Sequence, residues 1–205
     1  MFSELVFAQG DLRFEQNKGQ WDDRVLYMAR LVNGFVFVQS DGLLFSYSSM
    51  PSHLHSDEGN HHSDSAFMRH AFLVQPLGMN EKVPQASGLL QGYSNYFVGN
   101  DKSKWQSNVL AYSSLSYKDV YEGIDWKIYS YEGELKHEFV LKPQAEVSDI
   151  RLLYSGVQNK ELRDGNLILT LAFGEVVEQK PYAYQLIDGK KVEVEVAFEL
   201  FGDAV

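Results

Sequence analysis

Residues 124–141 read IDWKIYSYEGELKHEFVL and carry the clearest structural pattern in the chain. Apolar and polar residues alternate on both sides of Glu132-Gly133, which is typical of strands that each have one buried face. A two-residue turn at Glu132-Gly133 joins such strands into an antiparallel hairpin and sets their register. The register predicts four facing pairs, which are Trp126 with Phe139, Ile128 with His137, Lys127 with Glu138, and Tyr129 with Lys136.

Similar patterns on both sides of this hairpin predict an all-β protein. Asn33-Gly34 and Asp41-Gly42 separate three β-rich runs between residues 25 and 47, which indicates a three-stranded meander. Asp101 before a short polar run is a suitable N-cap for one helical turn. We therefore expect an antiparallel β-sandwich-like fold, with two stacked sheets of many short strands and at most one or two short helical turns.

Two terminal regions give more specific expectations. Residues 11–21 are polar and rich in turns, so they predict a short segment at the edge of a sheet. Residues 192–201 alternate, so they predict a strand with Val192 and Val194 inward and Glu193 and Glu195 outward. Residues 48–65 lack an apolar period and predict a long surface loop.

Residues 11–205 are expected to form one all-β domain, with a sub-boundary at residues 143–149, where Pro143 ends a strand. Residues 1–10 fit two interpretations. Leu5-Val6-Phe7-Ala8-Gln9 resembles the end of a secretory signal peptide without its basic region, and it equally fits a first strand.

The composition excludes several classes of partner and chemistry. The 205 residues contain 18 basic and 28 acidic side chains, and a net charge of −10 repels nucleic acid. No run approaches the roughly 18 apolar residues that span a bilayer, so membrane insertion is not expected. The absence of cysteine excludes disulfides, thiolate nucleophiles and cysteine-bound zinc. We expect a monomer.

Five motifs occur in an order that is similar to a known family. They resemble an N-terminal domain of unknown function found in large secreted surface proteins of gliding Gram-negative bacteria. Two positions depart from the family pattern, because His137 replaces a usual tyrosine and Gln144 replaces a usual glycine. The motifs are Glu15-Gln16-Asn17-Lys18-Gly19-Gln20-Trp21, Asn95-Tyr96-Phe97-Val98-Gly99-Asn100-Asp101 with Trp105, Tyr121-Glu122-Gly123-Ile124-Asp125, Leu135-Lys136-His137-Glu138-Phe139-Val140-Leu141-Lys142-Pro143, and Pro181-Tyr182-Ala183-Tyr184-Gln185.

This resemblance implies an exported protein, located outside the cell or on its surface. In that family the domain precedes SBBP-type β-propeller repeats, PKD domains or other repeats, and a C-terminal sorting or gliding-motility-associated domain. The resemblance therefore implies that the partners are other domains of the same surface protein. Family members continue beyond the position of Val205, so we expect one sheet edge to lack its neighbour. The family implies no activity and no cofactor.

Exposed aromatic residues are the best candidates for binding, because their rings stack on sugars or anchor a neighbouring domain. The candidate binding residues are Trp105, Tyr121, Tyr129 and Tyr131. A second group is expected to serve the structure, with His137 as a hydrogen-bonded core histidine and Asp125 bonded to the backbone of Gly123. The structural group comprises Gly99, Asp101, Gly123, Asp125, Trp126, His137 and Phe139.

The leading hypothesis is a non-catalytic extracellular β-module that contacts other domains or glycans. One alternative is a carbohydrate-active enzyme that uses Asp125 and Glu138, or Glu122, because glycosidases need paired carboxylates. The other is a metal-binding module, because imidazole and carboxylate groups are ligands of zinc and nickel. Its candidate ligands are His53, His55, Asp57, Glu58, His61, His62, Asp64 and His70.

Overall fold

The structure is a computed structural model, and it describes residues 11–49, 68–79 and 81–205. The described residues form strands throughout, with two short 3₁₀ turns at Lys102–Lys104 and Val147–Asp149, and this confirms the all-β prediction. The strands are β1 (Phe14–Gln16), β2 (Tyr27–Leu31), β3 (Gly34–Val38), β4 (Leu43–Ser48), β5 (Arg69–Pro76), β6 (Gln85–Leu89), β7 (Ser94–Tyr96), β8 (Gln106–Val109), β9 (Ala111–Tyr121), β10 (Ile124–Tyr131), β11 (Glu134–Leu141), β12 (Leu152–Ser155), β13 (Asn159–Arg163), β14 (Asn166–Leu171), β15 (Gly174–Glu178), β16 (Ala183–Ile187) and β17 (Lys190–Val194).

Ten strands form one antiparallel sheet that curls into a half-barrel. Its order is β11-β10-β9-β1-β2-β3-β4-β5-β12, and β6 also pairs with β9. Three smaller sheets are β13-β14-β15, β16-β17 and β7-β8. Residues 142–151, which include the predicted sub-boundary at residues 143–149, join β11 to β12, and β12 returns to the large sheet by pairing with β5. Within the described residues, no helix is long and apolar enough to cross a membrane.

The hairpin of β10 and β11 has the predicted register at all four pairs. Both residues of its turn, Glu132 and Gly133, have positive φ angles of 53° and 78°. This left-handed pair matches the twist of two antiparallel strands, which is why a two-residue turn suffices. The helical turn after Asp101 is also confirmed, because Oδ1 of Asp101 accepts a hydrogen bond from the backbone N–H of Ser103 at 3.0 Å.

A first core lies against the inward face of this hairpin. Trp126 is fully buried, and its ring stacks between Tyr117 of β9 and Phe139 of β11, with ring centroids 5.4 and 6.0 Å away. Ile124 and Ile128 are fully buried on the same side, as the alternation predicts. Residues from six neighbouring strands and from several connecting segments complete this core.

A second core lies where the three-stranded sheet packs on the large sheet. Leu167, Leu169 and Leu171 of β14 pack against β5 and β12, so the two sheets are stacked at this end of the protein. The residues from the large sheet are Phe72, Val74, Leu152 and Tyr154.

Two sequence-based expectations are wrong. The first segment is not at an edge, because β1 pairs with β9 as well as with β2, and Phe14 is fully buried. The last strand ends at Val194, and the side chains of Val192 and Val194 are 45% and 39% exposed. Alternation shows which residues share a face of a strand, but it does not show whether another layer covers that face.

The meander of β2, β3 and β4 is confirmed, although its first turn is Val32-Asn33 rather than Asn33-Gly34. Gly34 instead begins β3, where the neighbouring strand comes very close. A Cβ atom at Gly34 would lie 2.0 Å from the carbonyl oxygen of Ser46, so only glycine fits without a backbone shift.

We expect G34A to destabilise the protein by about 1–3 kcal/mol, because the added methyl group forces β3 away from β4. Urea unfolding followed by circular dichroism measures this loss. V32A is the matched control in the adjoining turn, where the side chain is 74% exposed, and it is expected to change stability by less than about 0.5 kcal/mol. Equal stabilities of G34A and V32A would contradict the close approach.

Candidate functional site

The candidate site is on the outward face of β10, opposite the buried Trp126. Lys127, Tyr129 and Tyr131 lie on this face, and β11 adds Lys136 and Glu138. The register of β9 and β6 then places a row of small polar side chains beside these groups. This row contains Ser114, Ser116, Ser87 and Gln85.

Tyr129 is held in a polar setting on this face. Its hydroxyl group donates to Oε2 of Glu138 at 3.4 Å, and the Nζ atom of Lys127 lies 5.0 Å from its ring centroid. Lys127 also pairs with Oε1 of Glu138 at 3.1 Å, as the predicted facing pair requires. Burial and the charge of Glu138 raise the pKa of Tyr129, so its hydroxyl remains a neutral donor.

A second hairpin brings further tyrosines to the same region. Tyr184 of β16 and Tyr131 both lie close enough to Tyr129 to raise its pKa. The rings of Tyr182 and Tyr184 are 5.9 Å apart, and Nζ of Lys191 lies 4.3 Å from the Tyr184 centroid. We call Tyr129, Tyr131, Tyr182 and Tyr184 the tyrosine face.

The rings of the tyrosine face are available to solvent. Tyr131, Tyr182 and Tyr184 are 54%, 64% and 42% exposed, and Tyr129 is half-buried. The sequence alone does not single out Tyr182 and Tyr184 as site residues. Tyr184 is in β16 and Tyr182 immediately precedes that strand, and no local pattern could show that the Tyr184 ring lies near Tyr129.

Two other predicted binding residues lie elsewhere. Tyr121 packs against the first core, and its hydroxyl group donates to the carbonyl of Arg151 at 2.8 Å while burial raises its pKa. Trp105 meets Phe97 edge-on at 5.8 Å, and its indole N–H donates to the carbonyl of Gly99 at 3.2 Å. Tyr121 therefore lies against the first core, and Trp105 belongs to a separate loop.

Asp125 does not bond to Gly123, which instead supplies the positive φ angle of 70° in the turn after β9. Oδ2 of Asp125 accepts from Nζ of Lys118 at 2.7 Å, and Oδ1 accepts from the backbone N–H of Asp119 at 2.9 Å. Burial raises the pKa of Asp125, but these hydrogen bonds and the charge of Lys118 outweigh it, so the pKa lies below its ordinary value.

The proposed glycosidase pair, Asp125 and Glu138, does lie on one face of the hairpin. Each carboxylate is already held by a lysine, Asp125 by Lys118 and Glu138 by Lys127. A glycosidase acid needs a raised pKa, whereas that of Asp125 is lowered. The third candidate, Glu122, is exposed in the turn between β9 and β10. The pair therefore has the environment of structural ion pairs.

The metal hypothesis concerns mainly residues outside the described part of the chain, since His53 to Asp64 all lie there. His70 is described, and both of its ring nitrogens are engaged. Nε2–H donates to the carbonyl of Gly156 at 2.8 Å, and Nδ1 accepts from the backbone N–H of Ala172 at 3.1 Å. Within the described residues, no three His, Asp or Glu side chains group closely enough to hold a metal ion.

His137 is hydrogen-bonded through both ring nitrogens, as the sequence predicts, but its side chain is partly exposed at the border of the core. Its Nδ1 accepts from the indole N–H of Trp126 at 3.1 Å, and its Nε2–H donates to Oε1 of Glu178 at 2.8 Å. The other carboxylate oxygen of Glu178 accepts from the hydroxyl of Tyr154 at 2.6 Å. Sequence analysis missed Glu178 and Tyr154, because β15 and β12 meet β11 only in the folded protein.

These contacts determine the protonation of both histidines. Backbone and indole N–H groups only donate, so Nδ1 of His70 and Nδ1 of His137 must each carry a lone pair. We expect long-range ¹H–¹⁵N NMR spectra at neutral pH to show both rings protonated on Nε2. A proton on Nδ1 of either ring would contradict the corresponding hydrogen bond.

The stability of the protein should also depend on the ionisation of Glu178. Burial raises the pKa of Glu178, but hydrogen bonds from His137 and Tyr154 outweigh it and lower the pKa below the unfolded value of 4.5. The contribution of Glu178 is therefore complete above about pH 4.5, and it is lost as the pH falls through the folded-state pKa.

We expect E178Q to lower the free energy of unfolding by about 1–3 kcal/mol at pH 7. The difference from wild type should narrow as the pH falls below about 4.5. Urea unfolding at a series of pH values measures it. E134Q is the control, because the side chain of Glu134 is 69% exposed. A difference that stays constant with pH would contradict the ionised state of Glu178.

Comparison with known proteins relates this chain to a protein family. No curated protein and no solved structure matches the chain. A family model described as a domain of unknown function (DUF7948) matches residues 14–205, and the chain therefore belongs to this family.

Proposed function

We propose that this chain is a non-catalytic β-module of a secreted or cell-surface protein, and that it contacts glycans through the tyrosine face. The observation that carries the proposal is the placement of Tyr129 and Tyr131 on the outward face of β10, with Tyr184 of β16 near Tyr129 and Tyr182 beside Tyr184. Its place at the N-terminus of a large surface protein, before repeats and a sorting domain, rests on the five-motif resemblance alone.

The chemistry of the tyrosine face suits a sugar. A pyranose ring presents C–H groups to an aromatic ring and hydroxyl groups around its rim. Tyr131, Tyr182 and Tyr184 offer exposed rings for such stacking. Lys127, Glu138 and the polar row of Ser114, Ser116, Ser87 and Gln85 offer hydrogen-bond donors and acceptors on the same face of the sheet as Tyr129 and Tyr131.

The charge of the protein indicates which class of glycan suits the tyrosine face. The chain carries a net charge of −10, which disfavours polyanionic sugars as it disfavours nucleic acid. On the tyrosine face itself, the ammonium group of Lys127 is neutralised by Glu138. The proposed ligand is therefore a neutral oligosaccharide.

A neighbouring domain is the other occupant that exposed tyrosines suit, because tyrosine is enriched where proteins bury a surface. A glycan ligand and a domain contact predict different results. Free oligosaccharides bind only in the first case, and a covalently adjoining domain shields the rings only in the second.

We expect wild-type protein to bind neutral oligosaccharides on a glycan array, and Y131A and Y184A each to weaken binding about tenfold in calorimetry. Y93A is the matched control, because it removes a ring of similar exposure, 59%, from the loop between β6 and β7. Unchanged binding in a variant that combines Y131A with Y184A would contradict the tyrosine face as the glycan site.

A further inference from the structure

The hairpin of β16 and β17 forms a sheet of only two strands. All five residues of β17 are exposed, and within the described residues no third strand pairs with it. An isolated two-stranded hairpin is marginally stable in water, and a third strand or a covering layer normally stabilises it. The outer edge of β17 therefore offers unpaired backbone groups to another strand.

The two faces of this hairpin differ in character. One face carries Val192 and Val194, which lie opposite Gln185 and Ala183. The other face carries Lys191 and Glu193, which lie opposite Leu186 and Tyr184. Lys191 and Glu193 thus precede and follow Val192 in β17, and their side chains lie on the face opposite to that of Val192.

We propose that the free edge of β17 pairs with β17 of a second copy of this chain. The two strands run antiparallel around a two-fold axis, and Val192 faces Val192 of the second copy. The two hairpins together form a continuous four-stranded sheet.

The order of charges along β17 selects this register. A two-fold axis places one residue of the strand opposite its own copy, so each of the five residues of β17 defines one register. Centring on Lys190 or Lys191 sets lysine against lysine, and centring on Glu193 sets glutamate against glutamate. Centring on Val194 sets Glu193 against Glu195. Like charges directly opposite each other destabilise a sheet.

The register centred on Val192 instead places opposite charges against each other. It sets Lys191 against Glu193 of the second copy, and the symmetry repeats this pair on the other side of the axis. On the other face it brings the two Val192 side chains together and sets Lys190 against Val194. It is the one register centred in β17 that gives two opposite-charge pairs and no like-charge pair.

The edge of β16 does not favour one register over another in the same way. Its five residues, Ala183–Ile187, carry no charge, so no electrostatic difference separates one register from another. Charge complementarity therefore assigns the contact to β17 rather than to β16. The resulting dimer departs from the monomer expected from the sequence, and it does not depend on glycan binding.

A contact through one pair of short strands buries less surface than a standard interface of about 1,600 Å², so the dimer is expected to be weak. Sedimentation equilibrium of the full chain between about 5 and 500 μM detects a weak dimer of this kind. We expect the wild-type protein to dimerise reversibly within this range of concentrations. A wild-type protein that remains monomeric at the highest concentration would overturn the proposal.

Charge reversal tests the register. K191E and E193K each create two like-charge pairs, so each variant alone should dimerise at least about tenfold more weakly. An equimolar mixture of K191E and E193K should recover the dimer, because every introduced charge then faces its opposite in the other chain. Dimerisation that persists in both single variants, or a mixture that stays monomeric, would overturn the proposal.

K190E is the matched control. It makes the same change in net charge as K191E, but Lys190 faces Val194 in the proposed register and gains no like-charge neighbour. We expect K190E to dimerise like the wild type, and circular dichroism to show that all variants fold. Equal weakening by K190E and K191E would overturn the register in favour of a general effect of net charge.

Discussion

The indole ring of Trp126 lies at the centre of the first core, and a chain of hydrogen bonds through His137 and Glu178 connects it to Tyr154 of the second core. It stacks between Tyr117 and Phe139, which lie on the strands to either side, and so it joins β9, β10 and β11 across one face. Its N–H group is inside the protein, where an unpaired donor costs about 1–3 kcal/mol. Nδ1 of His137 accepts that hydrogen bond, which gives the histidine a structural purpose.

The same interaction connects the two stacked sheets. His137 is hydrogen-bonded both to Trp126 and to Glu178 on β15, and Glu178 is hydrogen-bonded to Tyr154 on β12. His70 makes a second link at this end of the protein, from β5 to Gly156 and Ala172. Both histidines connect separate strands, because each accepts one hydrogen bond and donates the other.

The burial of one face of β10 also determines which side chains lie on its outward face. Because side chains alternate along a strand, burying Trp126 and Ile128 places Tyr129 and Tyr131 on the other side. The carboxylates in this region are held by lysines, so the rings are the groups that remain open to a ligand. The contribution of β10 to the proposed binding function therefore depends on which of its residues face outward.

The sequence by itself determined the local features of this protein: the β10–β11 register, the meander and the cap at Asp101. Each follows from alternation, a short turn or a capping side chain, and these act between residues close in the chain. Only the tertiary structure decided the central place of β1, the Glu178–Tyr154 link and the exposure of Val192. Those depend on which distant strands meet and on which faces receive a covering layer, and periodicity within one segment contains neither kind of information.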